Sequence, residues 1–193
     1  QTPKMVIWKK VSETGDWVVY HDAVTTNGQT IIRLQSNIAR QFFTTSSYLF
    51  ANSTQVELNW PTASVLNKNG VVHFVMCFAP VEGVCSVGRY VGNGNATVGV
   101  FVHCGFRPAW ILIKRIAATG EWRIHDSTRS PFNVSDKSFA INTAAELSAS
   151  SQNIDILSNG FKILTANADY NNSGDAYLYT AMAESPFKTA RAR

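Results

Sequence analysis

The chain has 193 residues, of which 45% are hydrophobic and 16% are charged, and its formal net charge is +4. This composition predicts a folded globular protein and excludes a solvated disordered chain, because enough apolar side chains are available to form a core. No apolar run approaches the roughly 20 residues that cross a bilayer, so we do not expect membrane insertion. The basic residues are scattered along the sequence, so we do not expect a nucleic-acid partner.

Two segments of the chain are similar to each other without a gap. Residues 3–17 align on residues 108–122, and both read proline, an apolar run, two basic residues, Thr-Gly, an acidic residue and tryptophan. A second pair, residues 67–79 and 171–183, follows in the same order at nearly the same separation. Because chance similarity would not keep this register, the sequence predicts a duplicated structural unit.

The aligned blocks are typical of β-hairpins, because their short runs of β-branched and aromatic residues are bounded by proline and glycine. The hairpin strands are predicted at residues 5–10, 18–21, 110–115 and 123–125. Gly15 and Gly120 lie in the turns, where we expect them to supply a positive φ. Further strands are predicted at residues 31–34, 56–60, 98–103, 139–141, 154–157 and 161–164. The Ser158-Asn159-Gly160 run indicates a tight turn, and residues 143–149 allow at most one helical turn.

A glycine- and asparagine-rich stretch, residues 88–95, predicts a linker between two units, residues 1–88 and 89–193. The second unit has a strand before Pro108, whereas the first has no room for an equivalent before Pro3. We therefore expect the first unit to lack its opening strand, which leaves a sheet edge for upstream sequence or a neighbouring subunit to fill. The predicted fold is all-β, with two tandem antiparallel β-sandwich units of the jelly-roll or lectin-like kind.

Cysteine usage and the first residues of the chain give two weaker expectations. Cys77, Cys85 and Cys104 cannot form a closed set of disulfides and none lies in a CxxC pair, which indicates assembly in a reducing compartment. The sequence begins at Gln1 without an initiator methionine, so we expect either that a longer precursor was trimmed or that the sequence is part of a longer chain.

Several motifs resemble a repeated β-rich domain of unknown function that occurs in tail-fibre and other virion structural proteins of tailed, often marine, bacteriophages. The main ones are residues 77–83, 88–95 and 105–115. The resemblance continues through residues 120–122, 126–131, 157–162 and 183–188, and the first unit is similar more loosely, through residues 1–5 and 17–21. It departs from the family pattern where an opening strand would precede the first unit.

The resemblance implies a virion structural protein, a tail-fibre or appendage module with a host-attachment role, assembled in the bacterial cytoplasm. Implied partners are other virion proteins, further copies of the chain in a trimer by analogy with other appendages, and a host surface glycan or protein. It implies no catalytic residue and no cofactor. A structural spacer or decoration protein without a ligand remains an alternative, as does a polysaccharide depolymerase module.

Exposed aromatic side chains are the candidate ligand contacts, because sugar rings stack on aromatic faces. Trp60 has no aligned aromatic partner, and Tyr90 and Tyr170 lie in loops rich in asparagine and glycine, so these three are the candidate ligand-binding residues. The other tryptophans occupy aligned positions in the two blocks and are predicted to be core residues: Trp8, Trp17, Trp110 and Trp122.

Titratable side chains give no metal or catalytic motif. The histidines fall at no recognised metal-ligand spacing, and we interpret them as structural: His21, His73, His103 and His125. Three aspartates lie near asparagine-rich turns without a DxDxDG pattern, so no calcium site is expected: Asp155, Asp169 and Asp175. Glu121 and Asp126 are the best acid pair for a depolymerase, but no catalytic motif accompanies them, and we predict a protein that is not an enzyme.

Overall fold

The structure is a computed structural model that describes residues 1–24, 30–42, 48–59, 68–144 and 148–186. In chain order these residues form β1 (Met5–Lys10), β2 (Trp17–His21), β3 (Thr30–Arg33), β4 (Gln41–Phe42), β5 (Tyr48–Ala51), β6 (Val56–Asn59), β7 (His73–Phe78) and β8 (Cys85–Val91). They continue as β9 (Phe101–His103), β10 (Pro108–Arg115), β11 (Trp122–Asp126), β12 (Ser135–Ala140), β13 (Ser148–Leu157), β14 (Gly160–Ile163), helix α1 (Ala168–Asn171) and β15 (Ala176–Ala183). In this part of the chain no helix has the length and apolarity to cross a membrane.

All pairings between these strands are antiparallel, and they form two large sheets and a hairpin. The first sheet has the order β4-β3-β2-β1-β7, and the hairpin β5–β6 packs on one of its faces. The second sheet has the order β8-β15-β10-β11-β12-β13-β14-β9. The central strands β1, β2, β10 and β15 carry consecutive buried residues, because both faces of these strands are covered, as in packed layers of antiparallel sheet. The predicted all-β, antiparallel sandwich class is therefore confirmed.

The second sheet folds over itself and encloses its own core. Side chains of β10 and β15, such as Ile111 and Tyr177, contact side chains of β13 and β14, such as Ile156 and Phe161. The pairing of β12 with β13 shifts register between Ser135 and Lys137, and this irregularity lies where the sheet bends from one layer to the other. A closed apolar layer results.

The opposite faces of the two large sheets pack against each other. Met5 and Ile7 of β1 lie in one apolar cluster with Leu112 of β10 and Trp122 of β11. The Thr180 hydroxyl lies 3.0 Å from the Met5 sulfur across this layer. The two halves of the chain, which the sequence predicts to be tandem β-sandwich units, therefore share an apolar layer.

The aligned segments have the same strand register. Met5 pairs with His21 and Phe78, and its aligned counterpart Trp110 pairs with Asp126 and Met182. The sequence alignment therefore joins positions that occupy the same place in their sheets.

The predicted boundary at residue 88 falls inside a strand: Gly88 lies in β8, which pairs along its length with β15 of the second sheet. The Tyr90 ring stacks on the Tyr177 ring at 5.0 Å, and a Cβ at Gly88 would lie 2.9 Å from the Tyr179 ring. Glycine at this position therefore allows β8 to approach Tyr179. Its sequence context, in contrast, predicts a linker residue.

Most other strand predictions agree with the structure, and each overlaps an observed strand. The sequence did not predict β4, β5, β8 or α1, and Ser148 and Ala149, where a helical turn is predicted, belong to β13. The turn between β13 and β14 is confirmed, since Leu157 pairs with Gly160.

The role predicted for Gly15 and Gly120 is wrong, because neither has a positive φ. Space explains Gly120 better: a Cβ there would lie 2.9 Å from the Arg115 Cβ and 3.1 Å from the Asp169 carboxylate. At Gly15 the nearest atom to such a Cβ is the flexible Lys10 Cδ, at 3.2 Å.

We expect Gly120→Ala to lower the free energy of unfolding by about 1–3 kcal/mol, the usual effect of forcing a methyl group into a packed site. Gly15→Ala is the matched control, and we expect a loss below about 1 kcal/mol, because the lysine side chain can move. Urea unfolding of both variants measures the difference. Equal losses would contradict the packing explanation.

Candidate functional site

Three side chains form a row across the first sheet. Lys9 of β1 pairs directly with Trp17 of β2 on one side and with Phe74 of β7 on the other. Directly opposed residues of antiparallel strands project from the same face of a sheet, so the Lys9 side chain leaves the sheet between those of Trp17 and Phe74. The Lys9 Nζ is 5.9 Å from the centre of the Trp17 ring and donates a hydrogen bond to the Gly15 carbonyl at 2.9 Å.

The second sheet contains the same row. Lys114 of β10 pairs with Trp122 of β11 and with Leu178 of β15. The Lys114 Nζ lies 6.0 Å from the centre of the Trp122 ring and donates to the Gly120 carbonyl at 2.5 Å, which repeats the Lys9 arrangement. The motif of two basic residues, Thr-Gly, acid and tryptophan thus builds one local structure twice.

The two rows differ in what covers them. The end of β3 and the segment that follows it lie over the second row. The Trp122 Nε1 donates to the Arg33 carbonyl at 2.9 Å, and the Lys114 Nζ donates to the Asn37 carbonyl at 3.0 Å. Trp122, Lys114 and Leu178 are all fully buried. Burial lowers the pKa of Lys114 to about 8, because the charged ammonium loses water.

The first row lines an open groove. Phe74 is exposed, Trp17 is half-buried, and together with the β1–β2 turn they enclose about 700 Å³. The lining comprises Lys9, Lys10, Val11, Ser12, Glu13, Thr14, Trp17 and Phe74. An apolar aromatic floor with a lysine and polar turn residues at its rim is the usual composition of a small-ligand site.

Charges at the groove are partly paired. The Glu13 carboxylate accepts a hydrogen bond from the Lys68 Nζ at 2.5 Å, and this bond lowers the pKa of Glu13. The Lys10 ammonium lies 3.9 Å from the same carboxylate. The Lys9 Nζ has its bond to Gly15, whereas its counterpart Lys114 has two carbonyl acceptors. The groove can therefore offer an ammonium donor between two aromatic faces.

Of the predicted ligand-binding aromatics, Tyr90 and Tyr170 lie together in the core of the second sheet and not at the surface. Trp60 lies outside the described residues. Tyr90 and Tyr170 were predicted to be exposed in loops, and this is wrong: Tyr90 is buried in β8 and donates to the Tyr170 carbonyl at 2.8 Å, while Tyr170 is buried in α1. Their rings lie in the core of the second sheet, where their hydroxyl groups are shielded from water and make hydrogen bonds.

The histidines do not cluster, and no group of three or more metal-binding side chains occurs within the described ranges. His125 is fully buried, with its ring nitrogens 3.1 Å from the Ser135 hydroxyl and 2.9 Å from the Tyr170 hydroxyl. His21 is also buried and accepts from the Ala23 amide at 3.1 Å. His73 is half-buried beside Trp8.

The acidic candidates make local contacts. Asp169 accepts from the Glu121 amide at 3.0 Å and from the Arg123 Nε at 2.9 Å, and Asp175 accepts from the Arg115 Nε at 2.7 Å. The remaining acids behave in the same way. Glu121 accepts from Asn142, Asp126 pairs with Arg129, and Asp155 lies opposite Lys162.

Sequence reasoning had placed Trp17 in the core with the other three aligned tryptophans. Trp122 is fully buried, and Trp8, Trp17 and Trp110 are half-buried against core clusters. The aligned sequences of the two copies give no signal that separates Trp17 from Trp122. Within the described residues, the segment that includes Arg33 and Asn37 contacts the second row and not the first, and this difference requires the tertiary structure.

The fold and the pairing define an all-β protein of the antiparallel β-sandwich class. The chain belongs to the family described as a domain of unknown function, DUF7483, which matches residues 1–186. No curated protein and no solved structure matches the chain.

Proposed function

We propose that the chain is a structural module of a bacteriophage virion, within a tail fibre or related appendage, and that its Phe74–Lys9–Trp17 row contacts the host surface. The resemblance of its sequence motifs to tail-fibre domains supports the virion assignment. The open groove of about 700 Å³ supports the attachment role and is the observation on which it rests.

A surface glycan is the ligand class that this row fits best. The apolar faces of sugar rings pack on aromatic side chains, and their hydroxyl groups accept hydrogen bonds from a fixed ammonium. In the second row the matching ammonium already binds the Asn37 carbonyl oxygen. A hydroxyl or amide oxygen of a ligand would take that place on Lys9.

The proposal assigns no reaction to the protein. A glycosidase needs two carboxyl groups that face one substrate, whereas Glu121 and Asp126 lie at the two ends of β11, and each is engaged in side-chain contacts. Their present contacts are structural, and the groove lies on the other sheet.

A panel of immobilised bacterial surface polysaccharides tests the attachment role. The intact protein is expected to select one or a few polysaccharides, and Phe74→Ala or Trp17→Ala is expected to weaken binding about tenfold, equivalent to ~1.4 kcal/mol. Phe132→Ala is the matched control, because Phe132 is 83% exposed on the other half of the chain. Loss of binding in the control, or none in the groove variants, would contradict the site.

A structural spacer is the second candidate, and the exposed side chains of β7 favour it. Phe74 and Val75 would be buried by contact with another virion protein. Antibody labelling of intact particles separates the readings: label on appendages together with silence across the polysaccharide panel supports the spacer. Particles without label would contradict both.

A further inference from the structure

We propose that β7 is an acceptor edge, which pairs with an antiparallel β-strand supplied by another polypeptide. The incoming strand resembles β8 of this chain in length and side-chain alternation. This inference does not depend on the Phe74–Lys9–Trp17 row binding a glycan.

The pairing of β7 is incomplete in comparison with that of its counterpart. The alignment places His73–Phe78 on residues 177–182 of β15, and both strands pair with the aligned strands β1 and β10 in the same register. On its other side β15 pairs with β8, from Ala176 opposite Val91 to Met182 opposite Cys85. Within the described residues β7 has β1 as its only neighbour and lies at the edge of its sheet.

Side-chain burial shows the same difference. Phe74 is 44% exposed and Val75 is 37% exposed, whereas the aligned Leu178 and Tyr179 are 0% and 7% exposed. Cys77 is exposed, and its counterpart Ala181 is buried. Phe74 projects from one face of the sheet and Val75 and Cys77 from the other, so side chains are exposed on both faces of this edge. An edge strand with exposed apolar side chains is a ready template for pairing with another chain, which would cover them as β8 covers their counterparts on β15.

A groove lies at one end of this edge. It encloses about 350 Å³ and contains Cys77, Phe78, Val84 and Met182. A side chain from one end of an added strand could therefore enter a preformed space. In strand addition the main-chain hydrogen bonds provide affinity, and such pockets provide specificity.

The pairing of β8 with β15 predicts the register of the incoming strand. The residue opposite Phe74 corresponds to Arg89, the residue opposite Val75 corresponds to Gly88, and the residue opposite Met76 corresponds to Val87. In β8 the residue at position 88 must be glycine, because the Tyr179 side chain of β15 fills the space above it. Since Val75 is smaller than tyrosine, the incoming strand can carry a larger side chain at this position.

A synthetic peptide of residues 84–92, with Cys85→Ser, is the probe, and amide hydrogen exchange of the intact protein is the readout. At saturating peptide, the amides of His73, Val75 and Cys77, which face away from β1, are expected to exchange at least about tenfold more slowly. A control peptide with Ser86→Pro and Gly88→Pro lacks two amide donors that face the partner strand and should give no protection. The protein variant Val75→Lys should weaken the effect, and Val98→Lys, exposed on the other half, should not.

Three results would overturn the proposal. One is unchanged exchange at residues 73–78 with millimolar peptide. Another is faster exchange in β8 itself, which would mean that the peptide replaces the protein's own strand on β15. The last is protection of β7 that rises with protein concentration in the absence of peptide, which would make a second copy of β7 the partner. Hydrogen exchange is measured without a glycan. Each of these results can therefore be interpreted even if the protein binds no polysaccharide.

Discussion

Trp122→Ala is expected to lower the free energy of unfolding by about 3–5 kcal/mol, the range for removing a large aromatic side chain from a packed core. Trp122 is the largest fully buried side chain of the described chain. It fills the layer between the two large sheets, and its Nε1 donates to the Arg33 carbonyl at 2.9 Å. The variant loses this packing and leaves a buried carbonyl oxygen without its donor.

Trp17→Ala is the matched control, because Trp17 occupies the aligned position but is half-buried at the open groove. We expect a loss of less than about half that of Trp122→Ala, since less apolar area leaves water at this site. Urea unfolding followed by circular dichroism measures both. A loss at Trp17 equal to that at Trp122 would show that the groove side of the row is as tightly packed as the covered one.

Acidification from pH 7 to pH 5 is expected to destabilise the fold by about 2 kcal/mol for each of the two buried histidines. Burial lowers the pKa of His125 to about 3 and the pKa of His21 to about 4. In the unfolded chain both rings titrate near 6.5, so protons bind the unfolded chain first. The stability that these neutral rings contribute is complete above pH 6.5, and it is lost as the pH falls towards the pKa of the folded protein.

Variants separate the histidines from other titrating groups. His125→Gln should reduce stability at neutral pH, since the contacts with Ser135 and Tyr170 change, but it should also flatten the dependence on pH by about one proton. His103→Gln is the control because His103 is exposed. Unfolding free energies at half-unit steps from pH 7 to pH 5 stay above the range in which most carboxylates titrate. An unchanged slope in His125→Gln would contradict the buried neutral ring.

The strands and the internal repeat could be predicted from the sequence, because both depend on local patterns. The run from Met5 to Lys10 is apolar and β-branched, and it ends at a glycine-containing turn, so its strand is predicted without tertiary information. Comparison of the copies likewise gave the correct relation between Met5 and Trp110. The all-β class follows from these elements.

The candidate site could not be predicted, because it depends on which aligned position is covered. Trp17 and Trp122 have the same local sequence pattern, yet only Trp122 lies beneath the segment that contains Arg33. The prediction that Tyr90 is exposed was wrong for a related reason. The glycines and asparagines of its segment are typical of a linker, but Gly88 is small to accommodate Tyr179, and Tyr90 stacks on Tyr177 across the strand pair.

The apolar layer between the two large sheets has a consequence for how this protein could evolve. Met5 and Ile7 on one side contact Leu112 and Trp122 on the other, so each half presents an apolar surface to the other half. Recombination that exchanged one half for a foreign domain would expose several large apolar side chains, unless the incoming domain had a complementary apolar surface. Gene shuffling should therefore transmit the two halves as a single inherited block.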